Sequence, residues 1–119
     1  MSKIRMKEAL IALAMLPAIA HATYSCTGPV NGVAVEARTG IIRAANAGGL
    51  AYQSICSVSS TNNLIDPTAC KSIYALLLTA QTTNQQVTMY FDDAGGSCSS
   101  HAAWAPATGL YFVNIVPPN

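Results

Sequence analysis

Apolar and polar positions alternate along the first half of the chain after residue 29, and the period changes once. In Val30 to Ala37, Val33 and Val35 interleave with Ala34 and Glu36, the two-residue rhythm of a strand with one buried face. Thr39-Gly40 interrupts it, Ile41 to Ala45 resumes it, and Asn46 to Gly49 is a further turn. Leu50 to Val58 reads as a third strand, with Tyr52, Ser54 and Cys56 on one face and Gln53, Ile55 and Ser57 on the other. Strands joined by such short turns form an antiparallel meander. The period then lengthens: Ile73, Leu76, Leu77 and Ala80 fall at helical spacing, widened by Tyr74 and Leu78. Asp66 is placed to cap this helix and Pro67 suits its first position, where a missing N–H costs nothing. The pattern predicts a helix from Pro67 to about Gln81, stopping in Thr82-Thr83-Asn84. Val87 to Phe91 and Gly109 to Val116 are the remaining strands, separated by a long loop from Asp92 to Pro106.

The order β-β-β-α-β-β predicts a mainly β fold with one α-helix, a small five-stranded OB-like barrel. A three-stranded sheet crossed by the helix, with a C-terminal hairpin, is the nearest rival.

The N-terminus obeys a different logic. Lys3, Arg5 and Lys7 precede an apolar run, Ala9 to Ala20, which ends in Ala20-His21-Ala22. A basic segment, a short apolar segment and an A-x-A site describe a signal peptide over residues 1–22. The apolar run is shorter than the roughly 20 residues a membrane helix needs. The mature chain is expected to begin at Thr23, or at His21 if the earlier site is used, leaving residues 23–119 as one disulfide-bonded domain. No later segment is apolar enough over a sufficient length to span a bilayer, and the expected localisation is secreted or periplasmic in a Gram-negative bacterium.

Export changes the reading of the cysteines. Cys70 lies one turn inside the helix, where a free thiol would be activated, but it has no C-x-x-C partner or neighbouring base. Cys26, Cys56, Cys70 and Cys98 are an even set in a short exported chain, which implies disulfides. Of the three possible connectivities, Cys56 with Cys70 and Cys26 with Cys98 is preferred, because it ties a strand to the next helix and the mature N-terminus to the loop after Phe91.

Charge excludes several classes. The whole chain carries +1, but residues 23–119 hold only Arg38, Arg43 and Lys71 against Glu36, Asp66, Asp92 and Asp93, a net charge of −1. Phosphate backbones are bound through clustered Lys and Arg, so no nucleic-acid partner is expected. A membrane-active helix is disfavoured because the leucine run lacks a basic row. The only mature histidine is His101, so no metal site and no cofactor are expected.

The run "KSIYALLLTAQTTNQQVTMYF", Lys71 to Phe91, resembles the helix-turn-strand segment of the binding (B) subunits of subtilase-cytotoxin-like and typhoid-toxin-like bacterial toxins. The likeness extends over roughly residues 50–92 and is shared with short exported proteins of Gram-negative bacteria that have a Cys-helix-strand core. It implies an exported, disulfide-bonded OB-fold subunit that assembles as a homo-oligomer, a pentamer, binds a glycan receptor bearing sialic acid and accompanies a catalytic A-type subunit. The toxin subunits hold sugar through a serine-bearing first strand, whereas Val30 to Ala37 has neither serine nor threonine. The resemblance therefore bears on fold and assembly and transfers no binding residue.

No catalytic residue is expected. Asp66 is a cap and Glu36 belongs to the open face of a strand; Asp92 and Asp93 are neighbours that tend to point apart. Gly95-Gly96-Ser97-Cys98 lacks the G-x-S-x-G pattern and opens no helix. Recognition remains. Trp104, in a loop between alanines, Tyr111 and Asp92 are the candidate ligand-binding residues, since aromatic faces stack on sugar rings and carboxylates hold hydroxyls. Tyr52 and Tyr90 belong either to the same set or to a core poor in phenylalanine. The expected function is a secreted non-enzymatic binding subunit for a glycan; the alternative is a periplasmic inhibitor or an envelope-associated structural protein.

Overall fold

The computed structural model describes residues 23–117; the expected signal peptide, residues 1–22, lies outside them. The order is β1 (Tyr24–Pro29), β2 (Asn31–Val35), β3 (Ile41–Asn46), β4 (Cys56–Ser57), α1 (Pro67–Thr82), β5 (Gln86–Phe91), a 3-10 turn (Cys98–Ser100) and β6 (Leu110–Ile115). The protein is mainly β with one α-helix. Its strands pair into two antiparallel three-stranded sheets, β1-β5-β6 and β2-β3-β4, and the described residues form no closed barrel.

Two differences from the sequence reading have clear causes. Tyr24–Pro29, read as no element, is an edge strand: Pro29 and Gly28 are tolerated there because one edge needs no partner, and Gly28 lies so close to the Gly48-Gly49 turn that a Cβ would meet Gly49 N at 2.5 Å. Leu50 to Val58 shrinks to the two residues of β4. Gln53, Ser54, Ile55, Cys56 and Ser57 are all buried, so no open face exists for the alternation to mark, and Tyr52 at φ +50° turns the chain out of extended geometry.

The helix forms where the pattern places it. Asp66 accepts from Ala69 N at 2.8 Å, Pro67 opens the first turn, and Cys70, Leu77 and Ala80 are buried, with Ile73, Tyr74 and Leu76 packed against the same core. An N-cap of this kind is worth about 1 kcal/mol. α1 packs on strands of both sheets, β2 and β4 of one and β5 and β6 of the other, so it closes the core between them. Ile42, Ile55, Val87, Met89 and Phe91 fill that core.

Two disulfides tie the layers: Cys56–Cys70 joins β4 to the first turn of α1, and Cys26–Cys98 joins β1 to the loop after β5. Loops of these lengths correspond to about 3 and about 4.5 kcal/mol of restrained unfolded-chain entropy. Among the described residues no helix is long and apolar enough to cross a membrane.

Candidate functional site

Two exposed apolar surfaces divide the candidate residues between them. The first is centred on Trp104, which is 63% exposed at φ +69° and stacks on Tyr52 with ring centroids 4.6 Å apart and planes 10° from parallel. Tyr52, 40% exposed, also has positive φ. Non-glycine residues seldom adopt that region, at a cost of about 1 kcal/mol or more each, so the surrounding backbone must hold them there. It does. Trp104 N donates to Tyr52 O at 3.1 Å, Ser54 N to Ala105 O at 2.9 Å, and Ala107 N to Ser54 O at 3.0 Å, lacing the loop to the segment before β4.

Arg43 of β3 braces the pair. Its Nη1 donates to Tyr52 O at 3.3 Å and Trp104 O at 3.5 Å, its Nε reaches Glu36 Oε2 at 3.5 Å, and its guanidinium carbon lies 5.3 Å from the Trp104 ring centroid. With only 19% of its side chain exposed, Arg43 acts as a prop under the aromatic pair. Such a flat, pre-set aromatic face suits a ring with C–H bonds on one side, as sugars have.

The second surface is a groove of about 520 Å³ between β6 and the start of α1, within the range of ligand sites. Asp92 and Tyr111 both line it, with Leu64, Ile65, Ile73 and Phe112. Leu64 is fully exposed. It is the second central residue of a tight turn closed by Asn62 N to Ile65 O at 3.1 Å and Ile65 N to Asn62 O at 3.0 Å, with φ +55° at Asn63 and +61° at Leu64. Turns with two positive φ values favour Asn-Gly or Gly-Gly, and the Ala47–Leu50 turn uses Gly48-Gly49. Asn63 is fixed by its amide, which donates to Ala107 O at 2.7 Å and Ile55 O at 3.2 Å, so Leu64 is held out in solvent.

A third cluster lies beneath the loop. The Tyr24 hydroxyl donates to Asp93 Oδ1 at 2.7 Å and sits 2.6 Å from His101 Nε2. Gln53 donates to Ala102 O at 2.6 Å, which turns its Oε1 toward His101 Nδ1 at 3.1 Å and makes that nitrogen a donor. Burial, then the hydrogen bond to Asp93, then the Asp93 charge push the Tyr24 phenol from 10.0 up to about 12, so it stays a donor. Gly96 and Gly109 leave room for Asp93: a Cβ at either would run into its carboxylate. Both His101 nitrogens and Asp93 are engaged with protein partners. The cluster anchors the Asp92–Gly109 loop to β1.

The structure thus brings Asp92 and Tyr111 together and sets Trp104 apart with Tyr52. Asp92 and Asp93 diverge: Asp93 turns inward to Tyr24 while Asp92 stays exposed at the groove. Arg43, Leu64 and Phe112 are surface participants that the sequence reading did not select. An apolar residue after two asparagines, in Asn62-Asn63-Leu64, was the available signal for Leu64. Comparison with protein-family models, with curated proteins and with solved structures finds no match to this chain.

Proposed function

We propose that this chain is an exported, non-enzymatic binding subunit whose Tyr52–Trp104 platform stacks on a sugar ring of a glycan. The observation that carries the reading is the platform itself: two exposed, parallel aromatic rings, each held at positive φ by a laced backbone and braced by Arg43. Strain kept at an exposed position gives no packing return, which points to a role outside the fold. The likeness of Lys71 to Phe91 to toxin binding subunits supports sialylated glycans as the class to test first, the two sheets as a partly opened OB-like barrel, and a pentameric ring beside a catalytic subunit. A shallow single site binds weakly, and several copies on one body supply the avidity that one site lacks. The two disulfides fit the oxidising compartment that this role requires.

A glycan array read with the mature protein, alongside light scattering, tests the reading. Binding by a closed oligomer that falls with Trp104→Ala supports it; a monomer that binds no glycan returns the alternative, an inhibitor or envelope protein.

A further inference from the structure

We propose that the groove between β6 and the start of α1 binds an extended peptide of a partner protein, apolar at alternate positions and bearing a lysine or arginine, as a strand added to β6. This goes beyond the glycan reading and uses a separate surface.

The groove runs along a strand edge. Leu110, Tyr111, Phe112 and Val113 all line it, and since successive strand side chains point to opposite faces, a cavity touching four in a row must follow the edge. Among the described residues β6 pairs with β5 on one side only. Val116 N donates to Gln86 O at 2.9 Å, which sets the alternation of the ladder: the Asn114 and Phe112 main chains face β5, while those of Val113 and Ile115 face away. The Ile115 carbonyl is taken by Asn114 Nδ2 at 3.1 Å, so the Val113 N–H and C=O, with the Ile115 N–H beyond them, are the groups turned toward an added strand.

Nothing in the sequence of this edge protects it. From Leu110 to Val116 there is no charged residue and no proline, the usual guards of an open strand. Across the groove stand Ala69 and Ile73, one helical turn apart, with Ile65 beside them, an apolar wall for the alternate side chains of an extended peptide. Strand addition of this kind takes affinity from main-chain bonds and specificity from such pockets. The charged residues lining the groove are Asp66 and Asp92, both acidic, and they select a cation on the ligand. A second copy of β6 brings no cation to meet them.

The test is selection of a random heptapeptide display library on the disulfide-bonded mature protein, followed by anisotropy titration of fluorescein-labelled enriched peptides. Enriched sequences are expected to alternate apolar residues and to carry Lys or Arg. N-methylation of the peptide amide that pairs with Val113 should weaken binding about tenfold, the loss of one hydrogen bond with its acceptor left unpaired. Asp92→Asn and Leu64→Gly should each weaken it, and Trp104→Ala should leave it intact. No enrichment above background overturns the proposal, as does equal binding by every N-methylated peptide. A dimer in sedimentation with the Val113 amide protected from exchange overturns it too, because the edge then belongs to a second copy.

Discussion

Trp104 lies flat on Tyr52 above a partly buried arginine, whereas Tyr111 and Phe112 stand along an open strand edge beside Leu64. Both surfaces expose aromatic carbon and both rest on residues at positive φ, yet they differ in what they leave unsatisfied. At Trp104 the local main chain is laced to its neighbour, so only ring faces are on offer. At the groove the main chain itself is on offer, at Val113. A surface with spent backbone groups has only ring faces for the proposed stacking, whereas one with free backbone groups has what the proposed strand addition needs.

Both surfaces depend on the core that α1 closes. Leu77 is completely buried in the stripe of α1, and Leu77→Asp places an unpaired charge there, expected to cost about 4 kcal/mol or more and abolish the cooperative thermal transition. Retention of a native transition would mean that α1 does not close the core. Separating the two surfaces takes a smaller step. Cys26–Cys98 anchors the loop leading to Trp104, while Cys56–Cys70 anchors the helix start that walls the groove. Replacing Cys26 and Cys98 together by alanine should cost roughly 2–5 kcal/mol and loosen Trp104, seen as red-shifted emission from the single tryptophan, with Val113 exchange unchanged. Equal change at both sites would show one cooperative surface.

How much of this was legible follows from which forces leave a trace in residue order. The helix was, because Asp66, Pro67 and the Ile73, Leu77, Ala80 stripe are local signals that agree. The disulfide pairing was, because Cys70 sits in the first turn after a short loop and Cys26 opposite a long one. β1 was hidden: Tyr-Ser-Cys-Thr-Gly-Pro has weak strand propensity, and its partner β5 is distant in sequence, with Cys26 opposite Met89 and Thr27 opposite Thr88. The segment before β4 misled because burial on both faces erases alternation. Trp104 was legible as a candidate for exposure among alanines and Tyr52 as one of two readings, but their pairing was not, since the parallel bridge between Ser54 and Pro106 leaves no pattern in either stretch.

Smaller effects sharpen the picture of the loop anchor. Tyr24 is raised to about 12 in the folded protein from 10.0, so the folded state retains that proton where the unfolded chain loses it. Its contribution is complete below pH 10 and is lost as pH rises from 10 to about 12. Denaturant midpoints should fall across that window, and Tyr24→Phe should remove this part of the fall; an unchanged slope would separate the phenol from the loop's stability. Smallest of all, Lys71→Ala on the exposed side of α1 should move the midpoint by no more than about 0.5 kcal/mol.

Because Trp104 is the only tryptophan, its fluorescence reads the proposed sugar platform without a label. Titration of the mature protein with sialyllactose should give a saturable change in emission that disappears in Tyr52→Ala, whose fold is verified by its thermal transition. Emission that stays constant across sialylated and neutral glycans, at concentrations where an array reports binding, would place recognition elsewhere and contradict the account.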